Sequence, residues 1–185
     1  MSLQLTSDKL LLRPPVPSDA DQLYEAARES VAEVGKWLPW CHAAYVRDEA
    51  IAWIAACQRA WHAEESYPFF IFDRATEQFI GGTGINEIDR FRHRANLGYW
   101  VRTSRMGHGA ATEAARLAAR FGFTRLAMQR LEIVAAIGNV ASQRVAAKLG
   151  ATREGLLRNR LRIRDVPTDA YGFSLIPSDT NRWPK

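Results

Sequence analysis

Met106-Gly107-His108-Gly109-Ala110-Ala111-Thr112-Glu113-Ala114-Ala115-Arg116-Leu117-Ala118-Ala119-Arg120-Phe121-Gly122 is a glycine-punctuated turn that runs straight into an alanine-rich amphipathic stretch. It follows the strand-like run 96–102, so the order is strand, tight turn, helix. Gly107 and Gly109 let the backbone come close to a ligand, because neither carries a Cβ. The first helical turn then offers N–H groups with no partner inside the helix, at the end where the helix dipole favours negative charge. Phosphate oxygens satisfy both conditions, which points to a phosphorylated cofactor. A glycine pair also serves ordinary turns and close helix packing, so the pair alone does not decide. Two familiar phosphate loops are excluded: the dinucleotide fingerprint needs a third glycine and an early βαβ unit, and the Walker loop needs a following Gly-Lys-Ser/Thr.

Working outward, Leu10-Leu11-Leu12-Arg13 reads as a strand closed by Pro14-Pro15-Val16-Pro17. Ser18 offers an N-cap with Asp21 three residues on, and a helix runs to about Ser30. A second helix fits 48–64, with Ile51, Ile54, Ala55 and Trp61 near one face. Between them Trp37-Leu38-Pro39-Trp40 is too short and proline-bound for regular structure; its tryptophans either cap the core or line a substrate entrance. Runs 68–73, 79–88 and 95–102, separated by short polar connections, predict an antiparallel meander. After the helix at 107–123 come a strand at 131–136, a helix at 140–149, strands at 151–157 and 163–175, and an irregular tail at 177–185. The fold class is mixed α/β (α+β), one central sheet flanked by helices.

A chain of 185 residues suits a single domain with a substantial core. Cys41 and Cys57 stand outside any metal-ligand spacing, and Cys57 lies in an apolar helical stretch, as a packed thiol in a reducing cytosol would. His42, His62, His93 and His108 also lack ligand spacing, so no metal is expected. The N-terminus has no basic flank with a long apolar run, and no window suggests a membrane span. The net charge of +5 suits a polyanionic cofactor, an acidic protein or nucleic acid. Its densest part, Arg158, Arg160, Arg162 and Arg164, alternates with Asn159, Leu161 and Ile163 and predicts one basic strand face. That face is either a solvated hairpin or a site for an acidic partner. No RNA-recognition motif accompanies it, so nucleic acid is not expected.

The decisive pattern is Ile137-Gly138-Asn139-Val140-Ala141-Ser142-Gln143-Arg144-Val145-Ala146-Ala147-Lys148-Leu149-Gly150-Ala151, which follows a strand. Together with the Gly107 turn it resembles the GNAT superfamily of acetyl-CoA-dependent N-acetyltransferases, and more narrowly the RimJ/RimL-like branch. The resemblance extends to Leu11-Leu12-Arg13-Pro14, Ile80-Gly81-Gly82, Leu97-Gly98-Tyr99-Trp100-Val101 and Glu154-Gly155. It implies a GNAT fold over residues 1–185 with a mostly antiparallel sheet, acetyl-CoA as co-substrate, and a primary amine acceptor. The branch favours a protein N-terminal α-amine, and homodimers are compatible with it. Small-amine and antibiotic acetyltransferases, or a silent acyl-CoA-binding sensor, are the alternatives.

By the same resemblance the pyrophosphate loop falls on Met106, Gly107, His108, Gly109, Ala110 and Ala111, with backbone amides available through Thr112. Met106 stands where the family carries Gln or Arg and cannot donate a side-chain hydrogen bond; Arg105 beside it is either a substitute source of charge or a solvated surface arginine. The strand end at Trp100, Val101 and Arg102 is expected to splay and pair its main chain with the pantetheine arm, the Val101 N–H serving as oxyanion donor. Asn139 and Ser142, three apart, read alone as an N-cap and a first-turn serine. The resemblance adds a bond from Asn139 to the cofactor arm and gives Ser142 the thiolate proton, since Ala146 replaces the tyrosine of many relatives. Glu87 stands roughly where many relatives keep their general base, and is either that base or an exposed strand-end glutamate. Leu161 occupies the place of a late-hairpin glutamate in RimL-like enzymes, while Asp165, Asp169 and Tyr171 either contact substrate or simply build the hairpin.

Overall fold

The computed structural model describes residues 3–183. Eight strands, β1 (Leu5–Thr6), β2 (Leu10–Arg13), β3 (Tyr67–Asp73), β4 (Phe79–Asp89), β5 (Arg94–Val101), β6 (Arg130–Ala136), β7 (Thr152–Ile163) and β8 (Val166–Leu175), form one sheet in the order β1-β2-β3-β4-β5-β6-β8-β7. Among the described residues neighbouring strands are antiparallel except β5 and β6, which run parallel because helix α3 (Ala110–Thr124) crosses over between them. Helices α1 (Ala20–Glu29) and α2 (Arg47–His62) pack with Phe70, Phe72 and Phe79 on one face. Helix α3 and helix α4 (Val140–Lys148) cover the other. The fully buried Ala114, Ala115, Ala118 and Ala119 bring α3 close to the sheet, where a larger row of side chains would hold it away.

The first helix starts later than the Ser18 cap implies. Residues Pro17–Asp19 form a 3₁₀ turn and α1 begins at Ala20. The buried Asp19 governs this turn: its carboxylate accepts the Val16 N–H at 2.8 Å and the Arg13 guanidinium at 2.6 Å. Asp21 instead pairs with Arg47 on the surface. In α2, Ile54 and Cys57 are buried but Ile51 faces solvent, so the apolar face is rotated from the one the sequence suggests. The tail is not irregular throughout. Pro177–Arg182 forms 3₁₀ turns, and Trp183 is buried with its indole N–H on the Leu149 carbonyl at 2.7 Å. Residues 184–185 of that tail lie outside the described residues.

Strands β7 and β8 are one long hairpin turning at Arg164 and Asp165, both with positive φ. The expected flat row of four arginines does not form. A register shift between Leu157 and Leu161, with Asn159 at φ 51°, breaks the alternation. Arg162 pairs with Asp165 at 3.1 Å, Arg160 reaches Glu87 at 3.5 Å, and Arg164 donates to the Gly35 carbonyl at 3.0 Å. The last contact ties the hairpin tip to the loop between α1 and α2. As the edge strand, β7 is guarded by charge and a bulge, both of which hinder pairing with another chain.

Candidate active site

Strands β5 and β6 pair only at Arg94↔Arg130, Ala95↔Leu131 and Asn96↔Glu132, and then diverge. Each is held on its outer side. β5 stays on β4 as far as Gly81↔Val101, and β6 stays on β8 as far as Ala136↔Ala170. Two bonds set the phase of these ladders: Arg102 N–H to Ile80 O at 2.8 Å, and Ile137 N–H to Asp169 O at 3.1 Å. In an antiparallel ladder main-chain polarity alternates. Trp100 and Arg102 therefore turn their backbone groups toward β4, while Tyr99 and Val101 turn theirs into the gap; on β6 the same parity puts Val134 and Ala136 on the gap side. Main-chain polar groups in mid-sheet need partners, and an extended ligand carrying amides would supply them.

This phase corrects two expected contacts. Trp100 sends its side chain to the α1–α2 side, and Arg102 is a structural clamp. Its guanidinium pairs with Glu29 at 2.8 Å and donates to Phe79 O at 3.3 Å. The same Glu29 carboxylate accepts Ser104 N–H at 2.6 Å, and Ser30 Oγ accepts Thr103 N–H at 3.1 Å. Burial pushes Glu29 upward, but the bonds from Arg102 and Ser104 outweigh it and hold the carboxyl below its ordinary range. The end of α1 thus anchors the chain just before the glycine turn.

Gly107 and Gly109 adopt φ of 81° and 86°, a region costly for residues with a Cβ. A Cβ at either would meet nothing within 4 Å, so backbone conformation and not crowding calls for glycine. Gly109 caps α3 without a side chain, and Glu113 is the first N–H of the helix to find an acceptor, Gly109 O at 3.1 Å. The N–H groups of Ala110, Ala111 and Thr112 precede it and remain open at the helix N-terminus, beside the exposed His108. Met106 contributes neither a side-chain donor nor a free amide, because its N–H bonds Thr103 O at 3.1 Å. Arg105 is not a substitute charge either: it is paired with Asp73.

Asn139 caps α4, its Oδ1 accepting Ser142 N–H at 3.1 Å. Tyr99 closes this corner. Its hydroxyl donates to Ser142 O at 2.9 Å and lies 3.2 Å from Ser142 Oγ, and burial pushes its pKa up to about 12. Tyr99 is the residue that sequence reasoning passed over; the alternation of Leu97, Tyr99 and Val101 was the signal that it faces the α3–α4 side. Ala146, one turn beyond Ser142, is fully buried.

Glu87 does not join this group. It lies six positions along β4 from Gly81, the partner of Val101, hence roughly 20 Å away at the strand rise. It is exposed, at φ 49°, beside Arg160. The antiparallel turn from β4 to β5 carries it to the closed end of the β5–β6 pair. The hairpin candidates are likewise engaged: Asp169 accepts Asn159 N–H at 2.7 Å, Asp165 pairs with Arg162, and Arg153 stacks 3.4 Å over the Tyr171 ring. Among the described residues no group of three His, Cys, Asp or Glu could hold a metal, and no helix is long and apolar enough to cross a membrane.

On the α1–α2 side of the gap lies a cleft of about 390 Å³, bordered by Trp40, Trp53, Phe69, Gly82, Gly98 and Trp100. Trp40 and Trp100 meet edge to face at 5.0 Å. Cys57 also reaches it, a free thiol pushed up to about 12 by burial.

Residues 9–152 match the family described as acetyltransferase (GNAT) domain. YdaF of Bacillus subtilis (strain 168), provisionally named a ribosomal N-acetyltransferase, is 26% identical over 172 residues, covering 92% of each chain. A Vibrio cholerae structure, provisionally described as a ribosomal-protein-serine acetyltransferase, is 33% identical with a TM-score of 0.82, covering 96% of this chain and all of that one. RimL, a ribosomal α-N-protein acetyltransferase solved with coenzyme A, shares the fold at a TM-score of 0.86 and 20% identity, over 94% of this chain and 98% of its own.

Proposed function

Since this chain belongs to the GNAT acetyltransferase family, we propose that it moves an acetyl group from acetyl-CoA to a protein N-terminal α-amine, by direct attack within a ternary complex. The observation that carries the reading is the open gap between β5 and β6, with unpaired main chain on both sides and an open helix N-terminus nearby. The amides from Gly107 to Thr112 hold the pyrophosphate. Tyr99 and Val101 pair their main chain with the pantetheine arm, and the free amide nitrogen of Asn139 adds a donor beside it. Val101 N–H stabilises the charge that develops on the thioester oxygen as the amine attacks. The carbon–sulfur bond then breaks, and Ser142 Oγ relays a proton to the departing thiolate while regaining one from water, which takes up the amine's proton.

The attacking amine must be neutral. No Asp or Glu lines the cleft among the described residues, so its proton leaves to water. This favours an α-amine: with a pKa near 7.8 against about 10.4 for lysine, its neutral fraction at pH 7 is on the order of several hundred times larger. The ribosomal names of YdaF and of the Vibrio cholerae protein support a protein acceptor in the cytoplasm. The same lack of a carboxylate favours a second reading, an acyl-CoA-binding sensor without turnover.

One experiment separates them. Thiol release from acetyl-CoA is followed against N-terminal peptides, amino acids, polyamines and aminoglycosides, with CoA binding measured by calorimetry on the same sample. Turnover on peptide α-amines is the expected result. Tight CoA binding with no turnover across the panel selects the sensor, and absence of CoA binding refutes both.

A further inference from the structure

The cleft beside the gap has a chemical bias that acyl transfer alone does not require. Trp40 is 36% exposed and Trp53 is 55% exposed, both on its rim. Exposed tryptophans around a concave apolar wall are characteristic of a binding surface. Depth comes from small residues on both sides, Ala56 and Ala60 on α2 facing Gly98 on the sheet, while the Trp100 indole lies over Gly82 and forms the wall there. A Cβ on Gly98 would make only ordinary contacts, at 3.7 Å and 3.9 Å, with Asn86 and Asn96, so the space over it is open. Among the described residues, no Asp, Glu, Lys or Arg lines the cleft. Of its polar side chains, the Thr83 hydroxyl is taken by Gly98 O at 2.8 Å, and Asn86 Oδ1 accepts Asn96 Nδ2 at 2.8 Å.

The geometry points to an acceptor whose amine is carried next to a large apolar or aromatic side chain, which seats among Trp40, Trp53 and Trp100. A first residue such as Phe or Leu removes its apolar surface from water there and covers the two rim indoles. Polyamines and aminoglycosides are disfavoured on the same ground: a second ammonium would enter an uncharged, apolar space with no counter-charge to offset its desolvation. The inference rests on the acetyl-transfer reading for the role of the amine, but the selectivity of the cleft is a binding property and is measured without turnover.

The test uses the intrinsic tryptophan fluorescence of the full chain, saturated with CoA, titrated with peptides X-Ala-Ala-Ala in which X is Phe, Leu, Ser or Lys, and with spermidine. Burying one large apolar side chain predicts Phe and Leu peptides binding about tenfold to a hundredfold tighter than Ser or Lys peptides, with spermidine weaker still. Trp53→Ala, a surface change that leaves the sheet and the glycine turn intact, should reduce the Phe-to-Ser preference at least threefold while CoA affinity stays within twofold. Ala56→Leu should reduce it further by filling the cleft. Equal affinity for all four peptides, tighter binding of Lys or spermidine, or an unchanged preference in Trp53→Ala would overturn the assignment. A protein that binds with this preference but transfers nothing would overturn the catalytic proposal and leave the cleft assignment standing.

Discussion

Replacing Tyr99 by phenylalanine removes one hydroxyl and leaves the ring, the strand and the main chain of the gap in place. The deleted bond runs to Ser142 O at 2.9 Å, and the Tyr99 hydroxyl also lies 3.2 Å from Ser142 Oγ. A neutral hydrogen bond is worth about 1 kcal/mol net. If that energy serves to hold Ser142 in its rotamer and α4 against the splayed strand, transfer slows by about fivefold to tenfold. The acetyl-CoA KM should stay within about twofold, because the arm is bound by Tyr99 and Val101 through main-chain groups that Phe retains. Ser142→Ala, which removes the proton donor itself, should cost about 10²-fold or more. Since Tyr99 acts through Ser142, the double variant should be no slower than Ser142→Ala alone. The assay is single-turnover thiol release over pH 6 to 9, and Tyr99, held protonated up to about 12, adds no inflection there. Multiplicative losses in the double variant, or a large rise in KM with kcat unchanged, would refute the positioning role.

Gly109→Glu should abolish CoA binding in calorimetry, since the new side chain brings negative charge to the phosphate end of α3 and a Cβ to φ 86°. Glu29→Gln should lower the melting temperature by weakening the Arg102 clamp, and it should flatten the acid limb of stability. The folded pKa of Glu29 is depressed, so its contribution is present above the ordinary 4.5 and disappears as pH falls below that through the folded value; an acid limb unchanged in the variant would remove the clamp from the account. Glu87→Gln should leave both rate and pH profile unaltered, and the alkaline rise in rate should track the acceptor amine's own pKa when peptides of different amine basicity are compared. A Glu87→Gln variant that loses this rise would return that carboxylate to the mechanism.

What was legible in the sequence is what local forces decide. The glycine turn before α3, the Asn139 cap with Ser142 three residues on, and the meander of β3, β4 and β5 depend on hydrogen bonds and side-chain periods spanning a few residues. The ordered set of such motifs was enough to indicate the family. The rest depended on partners far apart in the chain. Which amides face the gap follows from the phase of β5 on β4 and of β6 on β8, so Tyr99 and Val101 face it while Trp100 and Arg102 do not. Arg105 beside the loop is held by Asp73 on β3, a partner that sequence neighbourhood does not show. Sequence position alone does not show that the antiparallel β4–β5 turn carries Glu87 to the closed end of the β5–β6 pair. The aromatic cleft joins Trp40 from a loop, Trp53 from a helix and Trp100 from a strand, and no local pattern links three such positions. Local propensity and spacing determined the elements and the glycine and asparagine motifs; only the docking of distant strands and helices decided which polar groups stay unpaired, which charges are neutralised, and what chemistry the cleft presents.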